Sequence, residues 1–289
     1  MKKIYELFIS KRSIKMITEK EIIKLALKED IGHGDITSES IFPENHSSNA
    51  IIKAKQDCII CGEKIVKEIK SFFPSVEFTV FKKDGETVKN GDIVYSLNGK
   101  TIELLKLERT LLNFIQRLSA ISTVTNRFVK ELEGTKIKIL DTRKTTPGMR
   151  ILEKYAVKTG GGHNHRFGLY DGVLIKENHI KAAGSIRKAV ELCRKNNHHL
   201  IKIEVEVETL NQLEEALKSG VDGVLLDNME IKEIEKACEF KKEYSFFIEV
   251  SGGITFEKLN RLKNLDIDYI SSGFITHSAG IIDLTMLLT

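Results

Sequence analysis

The run K-I-K-I-L-D-T-R-K-T-T-P-G, residues 136–148, decides the fold. An apolar stretch over 136–140 stops abruptly at Asp141, Thr142, Arg143 and Lys144. The same event recurs down the chain. Residues 172–175 end in Lys176, 201–205 in Glu206, and 223–226 in Asp227. Residues 246–250 end in Ser251, Gly252 and Gly253, and residues 269–270 lead to Ser272 and Gly273. Helical patterns fill the gaps, over 149–159, 182–195, 210–219, 231–240 and 256–263. Short apolar runs alternating with helices predict parallel strands with crossover helices. No G-x-G-x-x-G opens a helix after the first strand, so the dinucleotide fingerprint is missing. Six such strands can form a doubly wound sheet or an incomplete barrel, and groups of chemical use at the ends of different strands favour the barrel.

Upstream, the first hundred residues read as mixed α and β. Thr18-x-x-Glu21 is a capping box that starts a helix over 18–28. Strands are expected over 50–54, 58–61 and 78–81. Asp84-Gly85 and Asn90-Gly91 are turn signals around another short strand. Leu104, Leu107, Leu111, Leu112, Ile115 and Leu118 recur at helical spacing over 103–133, and the Ser and Thr residues of 119–125 predict a break there. The apolar run 281–288 is expected to pack back on the N-terminal part. The expected division is an extension over 1–17, an α/β domain over 18–133, a barrel over 134–275 and a closing segment over 276–289. Met16, just before the capping box, makes the first fifteen residues an accessory extension or an upstream start.

Composition limits the function. With 289 residues, 41% hydrophobic and 30% charged, the chain supports a sizeable core. A net charge of +4 is too mild for a nucleic-acid coat, and no apolar run is long enough to span a bilayer. Cys58 and Cys61 form a C-x-x-C, but Cys193 and Cys238 stand alone, so a zinc site lacks its second pair. The pair reads as strand residues beside Gly62. This cysteine usage points to a reducing, cytoplasmic setting.

The strand ends sort by charge. Arg143, Lys144, Arg166 and Lys176 are cationic, and His165 can be. Glu206 and Asp227 are anionic, and the Ser/Gly ends expose backbone N–H groups that can cradle phosphate. Arg forks grip planar carboxylates while Lys acts as a point charge. This set suits a substrate with several anionic groups together with a phosphorylated sugar. Glu206 and Asp227 can also hold Mg²⁺ bridging to a diphosphate. Other readings exist. Asp141 can simply cap a turn. His163 and His165 lack a third metal ligand. Lys176 can be an imine-forming lysine of a lyase barrel. Glu204, Glu206 and Glu208 alternate onto one face, and some of them can be structural. His198-His199 reads as a solvated helix end. Three consecutive glycines, Gly160 to Gly162, mark close approach or special dihedrals.

In order, D-T-R-K-T-T-P-G, G-G-G-H-N-H-R-F-G-L-Y-D, L-I-K-E-N-H, E-V-E-V, L-L-D-N, E-V-S-G-G-I and I-S-S-G resemble the quinolinate phosphoribosyltransferase family (nicotinate-nucleotide pyrophosphorylase, carboxylating), the type II phosphoribosyltransferases. E-D-I-G-H-G-D-I-T and L-E-R-T-L-L-N upstream match it too, so the resemblance runs from about residue 18 to the end. It implies an N-terminal α/β sandwich joined to an incomplete α/β (TIM-like) barrel, in homodimers with shared sites. It implies that Arg109 reaches into the partner's site. Thr142, Arg143, His165, Arg166 and Lys176 would bind quinolinate. Lys144, Glu206, Asp227, Ser251, Gly252, Gly253, Ser272, Gly273 and Phe274 would bind phosphoribosyl pyrophosphate. Lys144, Lys176, Glu206 and Asp227 would be catalytic, with Mg²⁺ on Glu206 and Asp227 and no organic cofactor. A relative that binds phosphosugar without turnover is the competing reading.

Overall fold

Helix α1 (Glu19–Ile31) starts at the expected capping box. The Thr18 hydroxyl accepts from the Glu21 N–H, and the Thr18 N–H donates to the Glu21 carboxylate at 2.8 Å. The computed structural model describes residues 16–289, so the extension expected over 1–17 lies, up to residue 15, outside the described residues. After α2 (Ile36–Ile41) come β1 (Ser47–Ala54), β2 (Cys58–Ile59), α3 (Glu63–Phe72), β3 (Glu77–Val80), β4 (Thr87–Val88) and β5 (Ile93–Lys100). Strand β1 lies between β5 and the C-terminal β12 (Leu284–Leu288), antiparallel to both, in a sheet ordered β12-β1-β5-β3. In this sheet β12 sets Met286 opposite Ile52 of β1.

Helix α4 (Thr101–Glu131) runs unbroken for 31 residues. The break expected at 119–125 is absent because those small residues form a contact face. Ser119, Ser122 and Thr125 are fully buried. Ser119 Oγ accepts from the Cys61 N–H at 3.0 Å, and Ser122 Oγ donates to the Ala156 carbonyl at 2.8 Å. Hydroxyls that find partners across a packing interface have no need to compete with the helix ladder. The C-x-x-C is structural: Cys58 and Cys61 are buried, and burial pushes their thiols up to about 11 and about 12.

The second sheet is parallel: β6 (Lys138–Leu140), β7 (Val173–Ile175), β8 (Ile203–Val207), β9 (Gly223–Asp227), β10 (Phe247–Ser251) and β11 (Tyr269–Ser271). Its order is β6-β11-β10-β9-β8-β7. The first strand pairs with the last, and a seam separates β6 from β7. The segment at His163 enters that seam. The His163 N–H donates to the Ile139 carbonyl at 2.8 Å, and the Asp141 N–H donates to the His163 carbonyl at 3.1 Å. The result is an incomplete barrel. Helices α5 (Arg150–Thr159), α6 (Glu177–Ala183), α7 (Ile186–Asn196), α8 (Leu210–Lys218), α9 (Ile231–Glu239), α10 (Phe256–Leu262) and α11 (Phe274–His277) join its strands and follow the last. Where one helix was expected over 182–195 there are two. Gly184 turns left-handed at φ 98°, and Ser185 restarts the helix by accepting from the Lys188 N–H.

Candidate active site

A cavity of about 250 Å³ opens at the carboxyl ends of the barrel strands. Thr142, Arg143 and Lys144 line it from the end of β6, and His165 and Arg166 from the seam. Lys176, Glu206, Asp227 and Ser251 line it from the ends of β7, β8, β9 and β10. Gly252 and Gly253 continue that last turn at φ 87° and 56°, the left-handed region that favours glycine. Gly273 lies against Lys144: a Cβ there would sit 2.9 Å from the Lys144 Cδ. Ser272 is buried and its N–H donates to the Leu140 carbonyl at 3.0 Å, so it fixes β11 to the end of β6. Phe274 is exposed at the same end and stacks on Phe128, with ring centroids 6.2 Å apart. Arg109 is elsewhere. It lines a separate hollow with Glu29, Asp30, Arg117 and Met149.

Why the glycine triplet is needed is now clear. A Cβ on Gly160 would lie 2.4 Å from the Ser122 carbonyl oxygen, and one on Gly162 would lie 2.7 Å from the Thr125 Cγ2. Gly161 between them sits at φ 90°. The segment turns tightly against α4 and then enters the seam, where it leaves extended pairing after His163, so that His165 lines the cavity and His163 an outer hollow beside Lys138. The two histidines therefore do not form a metal pair.

Asp141 does more than cap a turn. It is fully buried and ion-paired with Lys154 of α5, which is 1% exposed. Asp141 Oδ1 also accepts from the His165 N–H at 2.9 Å, and Lys154 donates to the His165 carbonyl at 2.9 Å. With its amide oriented to match its neighbours, Asn164 donates to Asp141 Oδ2 at 2.8 Å. Burial pushes the Asp141 carboxyl up and the Lys154 ammonium down, each opposed by the other's charge. A second buried carboxylate, Glu153, accepts from Arg117 of α4 and from the Thr146 N–H at 3.1 Å, and so holds the turn after Lys144.

The upper part of the cavity is mainly cationic. Burial, and then the neighbouring Arg143 charge, lower the pKa of Arg166. Lys176 is ion-paired with Glu206. Beneath lies a layer the strand ends do not reveal. Glu249 lines the floor and Glu204 is beside it; burial pushes them up to about 8 and about 7. Each stands two residues before a rim group on its own strand, Ser251 or Glu206, and so faces the same way. That spacing in E-V-S and E-V-E was the available signal for Glu249. Lys258, on α10, was also missed; it donates to the Gly252 carbonyl at 2.9 Å and shapes the turn.

An open βα barrel whose strand ends surround one cavity with cations, carboxylates and glycine turns defines an enzyme of anionic, phosphorylated substrates. Residues 35–119 match the family description "Quinolinate phosphoribosyl transferase, N-terminal domain", and residues 121–287 match its C-terminal domain. The chain is 46% identical over 271 residues to the probable nicotinate-nucleotide pyrophosphorylase (carboxylating) of Bacillus subtilis (strain 168), covering 93% of each chain. It is 36% identical over 290 residues to a mitochondrial quinolinate phosphoribosyltransferase (decarboxylating), 2b, of Nicotiana tabacum, covering 92% of this chain and 81% of that one. The crystal structure of nicotinate-nucleotide pyrophosphorylase from Ehrlichia chaffeensis superposes with a TM-score of 0.90 at 42% identity, covering 94% of this chain and 99% of that one. The chain belongs to the quinolinate phosphoribosyltransferase family.

Proposed function

We propose that the cation-lined cavity binds quinolinate and that the rim carboxylates and glycine turns take phosphoribosyl pyrophosphate. The chain transfers the phosphoribosyl group to quinolinate with loss of CO₂, giving nicotinate mononucleotide and diphosphate in NAD biosynthesis. The observation that carries the reading is the convergence of Arg143, Lys144, Arg166 and Lys176 on one small cavity. Arg143, Arg166 and Lys176 exceed what a monoacid needs and suit a dianionic ring, and Lys144 is left for the diphosphate.

Arg143, Arg166 and Lys176, with Thr142 and His165, grip the two ring carboxylates, and this aims the pyridine nitrogen at the anomeric carbon. Lys144 serves the diphosphate. Positive charge spreads over the ribose ring as diphosphate leaves, and Glu206 and Asp227 favour it while accepting from ribose hydroxyls. Ser251, Gly252, Gly253, Ser272, Gly273 and Phe274 surround the 5-phosphate. Once the nitrogen is alkylated, the ring itself holds the electrons released by decarboxylation, so the proposal includes no organic cofactor. Glu206 and Asp227 fit Mg²⁺: they are hard oxygen donors on adjacent strand ends, and both face the cavity. Bound there with the diphosphate, Mg²⁺ would offset charge on the leaving group.

The working unit is proposed to be a homodimer in which Arg109 completes the partner's cavity, since it lies away from its own. The domain division at 133/134, with 276–289 closing on the first domain, is kept as part of the proposal. Among the described residues the four cysteines are free and no helix is long and apolar enough to cross a membrane; the compartment proposed is the cytoplasm, with no nucleic-acid or membrane partner. An imine-forming lysine is disfavoured, because the ion pair with Glu206 uses Lys176 as a fixed charge. The test is release of ¹⁴CO₂ from carboxyl-labelled quinolinate with Mg²⁺. Release that depends on phosphoribosyl pyrophosphate supports the reading. Phosphosugar binding without release would favour the non-catalytic relative.

A further inference from the structure

Decarboxylation leaves a problem for the cavity to solve. Loss of CO₂ puts an electron pair on C2 of the pyridine ring, and the product carries hydrogen there. A proton must reach a ring carbon inside a small enclosure. The groups that grip the substrate are poor sources. Arginine does not deprotonate in proteins, Lys176 is engaged by Glu206, and Lys144 is exposed at the rim.

The floor offers an acid. Glu249 is 2% exposed and lines the cavity. Its Oε1 has no hydrogen-bond partner, and neither has Glu204 Oε1. His165 Nδ1 accepts from the Arg166 N–H at 2.6 Å, which puts the ring proton of the neutral imidazole on Nε2. That Nε2 lies 3.6 Å from Glu249 Oε1 and 3.6 Å from Glu204 Oε2. Ligand atoms of the three residues all fall within 4.8 Å of one another. Two ionised carboxylates this close, beneath a dianionic substrate, would repel each other and the ligand. The floor is compatible with quinolinate only if it carries a proton.

The geometry points to Glu249 as the acid that protonates C2 of the pyridine ring as CO₂ departs. This rests on the reaction proposed above. The bond between C2 and its carboxylate breaks, CO₂ leaves, and the electron pair stays on C2. The Glu249 O–H proton bonds to C2, and the O–H electrons remain on Glu249. Solvent returns the proton after product leaves.

The surroundings match the task. Burial, with Glu204 from β8 adding repulsion, pushes Glu249 up to about 8; His165, Ser271 of β11 and Lys176 of β7 pull it down. Arg166, Lys154 and Asp141 act on the same His165 from the seam, α5 and β6. An acid protonated at neutral pH yet near the working pH is well matched to proton donation.

The test uses the full-length protein with Mg²⁺ and both substrates. Glu249→Gln keeps the shape and hydrogen-bonding capacity but has no acidic proton. Its kcat for ¹⁴CO₂ release should fall by about 100-fold or more. Its KM for phosphoribosyl pyrophosphate and its affinity for phthalate, a dianion with no ring nitrogen, should stay within about threefold. Glu249→Asp keeps an acid on a shorter arm and should exceed the Gln variant by at least about tenfold. In the wild type, kcat/KM for quinolinate should decline as pH rises through about 8, and kcat should show a solvent deuterium isotope effect. A Gln variant within threefold of wild type overturns the assignment, as do equal rates in the Gln and Asp variants. So does a wild-type kcat/KM for quinolinate flat across that pH range, a result that needs no variant to fold. Absence of phosphosugar-dependent CO₂ release from the wild type would instead sink the reaction reading, and this inference with it.

Discussion

Replacing Lys154 by Met should expose how the seam is held. Lys154 is 1% exposed and Asp141 is 0% exposed, so the substitution strands a carboxylate in the interior. Breaking a buried pair from one side costs about 3–5 kcal/mol. Asp141 keeps its bonds from the His165 N–H and Asn164, which favours the lower end, about 3 kcal/mol. At roughly 2–4 °C per kcal/mol for a chain of this size, the melting temperature should drop by about 6–12 °C. Burial already pushes the Asp141 carboxyl above its ordinary value, opposed first by Lys154. Without Lys154 it should rise further. A carboxyl raised in the folded state contributes stability below its unfolded pKa and loses it as pH rises through the folded one. The deficit of Lys154→Met should therefore shrink at pH 5 and widen at pH 8. Adding Asp141→Asn, which removes the stranded charge, should recover more than half of it. Urea unfolding followed by far-ultraviolet circular dichroism at both pH values measures this, since the chain has no Trp to report by fluorescence. A Lys154→Met protein that melts within about 2 °C of the parent at both pH values would refute the buried-pair argument.

Arg143→Ala should raise the Kd for quinolinate by about 10- to 150-fold, the loss of a charge-assisted contact worth about 1.5–3 kcal/mol. The phosphosugar Kd should change little, and calorimetric titration of each substrate separates the two; equal losses would contradict the assigned role. Gly252→Ala places a Cβ 2.1 Å from Asn228 Oδ1 at φ 87°. It should weaken phosphoribosyl pyrophosphate binding at least about tenfold while phthalate still binds, because the strain falls on the phosphate turn. The ligand-free protein should lose stability between pH 5 and pH 8, because Glu249 rises from an ordinary 4.5 to about 8 on folding and its stability contribution is lost over that window. Denaturation of Glu249→Gln should show a flatter pH profile, and an unchanged slope would contradict the assignment of that carboxyl.

Much of this was legible because it was local. A buried strand that stops at a charged or Ser/Gly ending is visible in a few letters, and six such endings pointed to the barrel, its cations and its glycine turns. The Thr18 capping box was equally local. What was not legible depended on distant partners. Ser119, Ser122 and Thr125 look like a helix break until Cys61 and Ala156 supply partners for two of the hydroxyls. Asp141 looks like a turn cap until Lys154, thirteen residues on, folds back beneath it. Gly184 did carry a local stop signal, but the apolar pattern on both sides concealed it. Arg109 stands apart from the cavity, and no periodicity in one chain can say what a second copy contributes.

The strand period explains how so short a set of motifs makes a two-layer site. Residues two apart on a strand face the same way. Leu174, Glu204, Leu225 and Glu249 therefore sit below Lys176, Glu206, Asp227 and Ser251 on β7, β8, β9 and β10. The upper layer is charged and lies at the water-accessible rim. The lower layer mixes two buried leucines with two buried acids. The leucines exclude the water that would otherwise solvate the acids, and this loss of solvation is the first cause of the raised Glu204 and Glu249 carboxyls. Replacing either leucine with a polar residue would let water reach the floor and draw Glu249 back toward an ordinary carboxylate. The proposed grip on a dianion above and the proposed neutral acid below thus depend on the same alternation, because a slip of one residue in the register of β10 would turn both Ser251 and Glu249 out of the barrel.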